Sequence, residues 1–467
     1  MTAARTGSLA WGQPRARWVL AAAVLGSALA FLDATVVTIA LPAVGADLGA
    51  GTAALTWVVN GYALTLAALV LLGGALGDRY GRRRVLVVGV TVFALASAAC
   101  GLAPDVETLV LARAVQGVGG ALLTPASLAV LQASFVPGDR ARAVGAWSGL
   151  TGFAAALGPF AGGWLVQAAG WRWVFLINLP IALAVVLIAR RCMPGSRDPA
   201  APRALDVPGA ALLVAGLGAL TWGLTAWAGA PLAAPAVGGP LAGGILLLGL
   251  FLLRERRARA PLLPPAVSAA RLFVAVNAVT LLLYAALGAL SFALVVALQV
   301  GAGFSPLAAG LSLLPATVLM LLFSRSVGGL MDRAGPRWLM TVGPLVAAAG
   351  TVLLGRAGPG TDYVPGVLLP ATVFGAGLTL FVTPLTATVL AALPEERAGL
   401  ASGVNNAVAR TAGLLAVAAV PLAGGLGGAG FVDPQQVLEG FAVVAWLCAG
   451  FFAAGGLLAA ATVRRPQ

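Results

Sequence analysis

The sequence predicts an all-α membrane protein of fourteen transmembrane helices, built as two six-helix bundles with two further helices inserted between them. Three observations predict it. Apolar residues make up 60% of the 467 residues and charged residues only 9%, too little charge for a water-soluble domain to cover so much hydrocarbon. The charges gather in short loops between apolar runs of about 20 residues, the length that crosses a bilayer as helix. Loop and span motifs of the first six spans also recur in the last six.

Reading hydropathy against the helix breakers places the spans near 18–41, 53–75, 84–103, 108–132, 142–167, 172–190, 206–228, 236–253, 272–298, 308–330, 338–355, 364–392, 399–424 and 438–462. The first segment is too long for a signal-peptide core and is kept as span one. Span eight, interrupted by Gly238, Gly239 and Pro240, is the least regular. Arginines fall on alternate sides: Arg5, Arg15 and Arg17, then Arg79 and Arg82 to Arg84, Arg140 and Arg142, Arg190, Arg191, Arg197 and Arg203, Arg254, Arg256, Arg257 and Arg259, Arg333 and Arg337, Arg397, Arg464 and Arg465. The opposite loops carry only Arg172 and Arg356. By the positive-inside rule both termini are expected in the cytoplasm, with the chain in the cytoplasmic (inner) membrane.

Other classes are excluded on composition. The net charge of +13, with 28 basic residues, all Arg, is spread over loops and forms no nucleic-acid-binding patch. Cys100, Cys192 and Cys448 lie far apart and show neither a disulfide framework nor metal-ligand spacing. Histidine is absent, which removes imidazole-held haem or zinc and any histidine proton relay. A phosphate-binding Gly-Lys-Ser/Thr motif is also missing, and no loop between spans exceeds about 20 residues, so neither an enzyme nor a cofactor is expected.

A repeat divides the spans. Gly74-Ala-Leu-Gly-Asp78-Arg79-Tyr-Gly81-Arg82 after span two is echoed by Gly328-Gly-Leu-Met-Asp332-Arg333-Ala-Gly335 after span ten. Thr124-Pro125 in span four is echoed by Thr383-Pro384 in span twelve. Spans one to six thus correspond to spans nine to fourteen. The expected division is a bundle over 1–190, two inserted helices with basic linkers over 191–271, and a second bundle over 272–467.

Four motifs carry residues with evident chemistry. In span one, Leu32-Asp33-Ala-Thr35-Val-Val-Thr38-Ile-Ala40-Leu41-Pro42 holds the only acid well inside a span. Such an acid is costly unless it is protonated, paired or hydrated, which makes Asp33 a candidate to load and release a proton. The loop Gly74 to Arg84 combines a turn-forming glycine with Asp78, placed to pair with an arginine or to cap a neighbouring helix. In span four, Leu111-x-Arg113-x-x-Gln116-Gly117-x-Gly119-Gly120 puts a guanidinium, an amide and a packing groove on one helix face. Arg113 does not readily lose its own proton, so its part is to act on a partner acid or to hold water. In span five, Gly145 is followed by Gly158-Pro159-Phe-Ala-Gly162-Gly163, small residues for close packing with a proline that frees one backbone carbonyl. Trp171 and Trp173 before span six read as an interfacial belt. Snorkelling to the interface is the plain account of Arg325 and Arg410, and it is preferred for Arg325.

In their order and joint presence these motifs resemble the major facilitator superfamily, and within it the fourteen-span drug:proton antiporters. Thr38 stands where asparagine is more usual, and Ala154 replaces one glycine of the span-five pattern. The resemblance implies Asp33 and Arg113 as proton-coupling residues. It further implies a conformational latch at Gly74, Asp78, Arg79, Gly81 and Arg82 with Asp332 and Arg333, and an antiport bend at Gly145, Gly158, Pro159, Gly162 and Gly163. The expected activity is proton-driven export of lipophilic, including cationic, drugs or toxic compounds by alternating access. The rival within transporters is an exporter of one endogenous metabolite, such as an antibiotic or a lipid-like product. Asn60, Tyr62, Gln116, Asn277, Tyr284 and Asn405 are expected to line the pocket, as polar or aromatic residues on pore-prone spans. The partners expected are a small-molecule substrate, protons and the lipid bilayer, around a monomer.

Overall fold

A computed structural model of the chain describes residues 9–197, 205–258, 261–262, 270–394, 397–426 and 433–463. Among these, 14 helices are long and apolar enough to span a membrane. They are α1 Pro14–Leu48, α2 Thr52–Tyr80, α3 Arg82–Gly101, α4 Val106–Ser134, α5 Pro137–Ala169, α6 Trp173–Cys192, α7 Val207–Trp227 and α8 Pro235–Glu255; then α9 Arg271–Gly301, α10 Pro306–Met331, α11 Pro336–Leu354, α12 Val364–Ala391, α13 Leu400–Ala423 and α14 Pro434–Thr462.

Local chemistry sets many of the ends. Asp105, Asp206, Ser305 and Asp433 cap α4, α7, α10 and α14 with side-chain oxygens that accept first-turn N–H groups. Gly81 and Gly335, equivalent glycines of the repeated loop motif, adopt φ of 105° and 80°, a region that strains any side-chain-bearing residue. That is why each motif needs glycine at its turn.

Several boundaries depart from hydropathy. The first helix runs on through Pro42 to Leu48. Ile177 interrupts α6, and α10 breaks between Leu311 and Leu314. One π turn closes α9 at Ala297–Gly301 and another opens α12 at Val364–Leu368. Span eight is one uninterrupted helix despite its glycines and proline.

The packing repeats as the motifs do. In the first bundle α1 packs on α5 and α6, α4 on α2 and α3, and α3 on α6. Eight helices later, α9 packs on α13 and α14, α12 on α10 and α11, and α11 on α14. Glycines set the closest approaches: a Cβ on Gly119 of α4 would lie 2.6 Å from the Phe93 nitrogen of α3. The inserted α7 and α8 pack on each other, and α7 lies against both α2 and α13. There the Trp57 and Trp222 rings meet in a tilted contact with centroids 5.9 Å apart.

The two bundles meet along α2 with α13 and along α5 with α10. At the end away from the arginine-rich loops the second contact is tight. A Cβ on Gly163 would lie 2.7 Å from the Leu307 Cα, Gly310 abuts the Pro159 carbonyl, and Gln299 Nε2 donates to the Ile39 carbonyl at 3.0 Å. Toward the arginine-rich face α5 turns the same helical side outward at Gly145, Gly149 and Gly152, and a Cβ at any of them would meet nothing within 4 Å. Along α5 the bundles are closed at one end and parted at the other.

Candidate functional site

One buried polar cluster occupies the centre of the first bundle. It is assembled from α1 (Asp33), α3 (Ser97), α4 (Arg113 and Gln116) and α6 (Asn178). Asp33 is 2% and Arg113 1% exposed, and Arg113 is among the largest fully enclosed side chains of the protein. Arg113 Nη1 donates to Asp33 Oδ2 in a close ion pair. The other carboxylate oxygen accepts from Gln116 Nε2 at 2.8 Å and from Asn178 Nδ2 at 3.3 Å. Ser97 Oγ lies 2.7 Å from Gln116 Nε2 and 3.3 Å from Asn178 Nδ2, tying the two amides together.

Arg113 does not depend on the carboxylate alone. Its Nε donates to the Val58 carbonyl at 3.0 Å and its Nη1 to Gln116 Oε1 at 2.6 Å, the latter made by the three-residue spacing on α4. Its guanidinium carbon sits 4.3 Å over the Tyr62 ring and 5.8 Å from that of Phe175. Tyr62 is itself fixed by donating its hydroxyl to the Ala30 carbonyl at 3.1 Å. Every member of the cluster is thus hydrogen-bonded, the condition under which a buried polar network is tolerated.

The residues expected to line the pocket divide. Gln116 and Tyr62 belong to the buried cluster and do not face a cleft. Asn60 is a second correction: it is fully buried with neither amide atom paired, between Trp57 and Leu64, which meet Trp222 and Gly218 of α7. The insert covers that part of α2. In the second bundle Asn405 of α13 donates to Asn277 Oδ1 at 3.2 Å and Thr280 Oγ1 at 2.8 Å on α9, while Tyr284 stays half-buried one turn along. Arg410 does not snorkel. It crosses to the first bundle, with its guanidinium carbon 5.5 Å over the Phe31 ring.

The loop motif folds on itself. Asp78 pairs with Arg82 at 2.8 Å, the Arg82 N–H donates to the Ser196 carbonyl at 2.9 Å, and Arg83 Nη1 donates to the Met193 carbonyl at 3.0 Å. Arg79 lies 5.0 Å over the neighbouring Tyr80 ring, and Gly74 faces Pro125. In the second copy Arg333 lines a cavity together with Arg271 and Thr388; the side chain of Asp332 lies outside the described residues. Gly158 packs on Thr35 and Gly162 on Val36, which seats α5 against α1 next to Asp33, while Pro159 and Gly163 face α10. The helix runs unbroken through Pro159 from Pro137 to Ala169.

Two cluster members, Ser97 and Asn178, were not singled out from the sequence. Asn178 follows the interfacial tryptophans Trp171 and Trp173, and a single amide there carries no local mark of its partners. Ser97 is one hydroxyl in an apolar span, and nothing local distinguishes it.

Comparison with known proteins places this geometry in a family. The profile of the Major Facilitator Superfamily matches residues 23–418. The tetracenomycin C resistance and export protein of Streptomyces glaucescens is 37% identical over 407 residues, covering 85% of this chain and 74% of that protein. The puromycin resistance protein pur8 of Streptomyces alboniger is 37% identical over 409 residues, covering 87% and 81%. Among solved structures, a POT family transporter in complex with a thioalcohol-conjugated peptide superposes with a TM-score of 0.72 at 13% identity, covering 97% of this chain and 98% of that one, a likeness of fold alone. With fourteen apolar helices in a repeated arrangement and a family profile spanning most of its length, the chain belongs to the major facilitator superfamily of multi-span membrane transporters.

Proposed function

We propose that this protein exports drug-like or antibiotic compounds from the cytoplasm in exchange for protons. The observation that carries the proton step is the enclosed Asp33–Arg113 pair, and relatives named for resistance and export support the cargo class. The halves 1–190 and 272–467 rock about the cleft between them, with the arginine-rich face in the cytoplasm and the cleft open to it.

Asp33 is the proton carrier in this reading. Adding a proton cancels the charge that holds Arg113, and a lone buried guanidinium is costly. Arg113 keeps the Val58 carbonyl, Gln116 Oε1 and the Tyr62 ring as partners, so it can withdraw from a neutral Asp33 without being stranded. Gln116, Asn178 and Ser97 reorient their dipoles as it does so, and the helices of the first two, α4 and α6, pack on α1. Gly158 and Gly162 transmit the shift from α1 to α5, whose far end seals the cleft against α10. Each proton entering is worth about 2.3 kcal/mol per 100 mV of potential.

A narrow cargo range is the second reading, favoured by a relative named for the resistance and export of one antibiotic. Expression in an efflux-deficient bacterium, with a panel of antibiotics and dyes, tests both. Raised tolerance with energy-dependent extrusion, lost in Asp33→Asn and on dissipating the proton gradient, is expected. Breadth across the panel separates the two readings. No extrusion of any compound by wild-type protein present in the membrane would contradict export.

A further inference from the structure

The cleft between the bundles holds a second arginine, and this one has no counter-charge among the described residues. Arg410 extends from α13. Its Nε donates to Asn406 Oδ1 at 3.2 Å, its guanidinium carbon lies 5.5 Å over Phe31 of α1, and it stands within electrostatic reach of the Tyr62 and Tyr284 hydroxyls on α2 and α9. Both bundles therefore contribute to its surroundings. None of the ion pairs among the described residues includes it, and Asp33, two residues on from Phe31, is already held by Arg113. The terminal guanidinium nitrogens have no protein acceptor among the described residues. Arg410, Phe31 and Tyr284 are each half-buried and keep part of their surface accessible.

A partly desolvated cation whose planar donors point at no acceptor is costly to maintain, and its fork matches a carboxylate. The Asp33–Arg113 pair is neutral as a unit, so it does not offset the charge of Arg410. Cationic cargo would meet repulsion there.

We propose that Arg410 anchors the cargo, and that the preferred cargo is an aromatic acid whose carboxylate or ionised phenol takes the terminal guanidinium nitrogens while its ring packs against Phe31 and Tyr284. This reverses the expectation of cationic cargo. It rests on the reading of the chain as an exporter, but not on the proton step at Asp33. Because the anchor comes from one bundle and the ring contact at Phe31 from the other, a ligand seated there bridges both halves. An inside-negative potential also favours the outward passage of an anion.

Binding of three probes sharing one ring system, naphthoate, naphthylmethanol and naphthylmethylammonium, to the purified full-length protein by titration calorimetry tests the assignment. Wild-type protein is expected to bind naphthoate at least about tenfold more tightly than the ammonium probe, the scale of one charge-assisted hydrogen-bonded contact. Arg410→Gln should lose that preference and Arg410→Lys keep part of it, with melting temperatures confirming that both variants fold. If Arg410→Gln melts early, Arg410→Met takes its place as an apolar side chain of similar reach. Failure of naphthoate to bind, equal affinities, preference for the ammonium probe, or an unchanged preference in the neutral variant overturns the anchor. Failure of the exporter reading shows separately, as absent extrusion in cells with the order of affinities intact.

Discussion

A carboxylate and a guanidinium taken together out of water repay their desolvation only when geometry and surrounding hydrogen bonds are both good. Asp33 and Arg113 meet that condition through Gln116, Asn178, Val58 and Tyr62. Removing one partner alone should therefore be worse than removing both charges. Arg113→Met is expected to cost about 3–5 kcal/mol by stranding a buried acid, and adding Asp33→Asn should restore much of that loss; thermal unfolding of the purified variants measures it. Asp33, Arg113 and Gln116 are conspicuous in the sequence because charges and amides are scarce inside spans. Ser97 and Asn178 are not, since single hydroxyls and amides occur in many spans and only convergence in space selects these two. Asn60 is the converse case: polarity in a span does not say which neighbour covers it.

At the scale of elements, α5 does two tasks with one row of small residues. Gly158 and Gly162 seat it on α1, and Gly163 seats it on α10. Gly163→Val should push α5 off the Pro306–Leu307 backbone and disfavour closure at that end, read out as faster labelling of a cysteine placed at Pro306. The insert is held differently. Asp206 caps α7 by accepting from the Gly209 N–H at 3.0 Å and pairs with Arg254 at the end of α8 at 2.7 Å. Burial pushes the Asp206 carboxyl up, but the Arg254 guanidinium and the capping N–H outweigh it and hold it below the usual carboxylate value. A lowered folded value means that stability is fully present above the unfolded carboxylate value of about 3.9 and is lost as pH falls through the folded one. Asp206→Asn should lower the melting temperature at neutral pH and flatten the loss seen in acid. Hydropathy gives the span count because length and apolarity are additive along the chain. It misses the break in α10 and the two π turns because hydropathy averaged over a span stays high across Ser312, Gln299 and Pro365-Gly366, the residues that stand at these irregularities.

For the molecule as a whole, the repeat seen in two loop motifs and two Thr-Pro pairs reappears as helix packing that recurs after eight helices. Which end of the cleft is closed is not written in the sequence, since one chain must support both arrangements. Closure shows only in contacts such as Gly310 on the Pro159 carbonyl, against open space at Gly149. In a Cys192→Ser background, Gly149→Cys should react quickly with an impermeant thiol reagent applied to the arginine-rich face, and Leu307→Cys, at the sealed contact, slowly. Equal rates would contradict an opening on that side. Asp33 lies close to the sealed end of that cleft, with α5 packed beside it, which is where a bound proton has leverage over closure.

Flux in proteoliposomes bears on that coupling most directly, using the dye most strongly exported by cells, an imposed pH gradient, and an entrapped pH indicator. Wild-type protein should accumulate the dye against its gradient while protons move the opposite way. Asp33→Asn should still exchange dye downhill yet lose both gradient-driven accumulation and the accompanying proton flux. Gradient-driven accumulation that persists in folded Asp33→Asn protein would contradict the account.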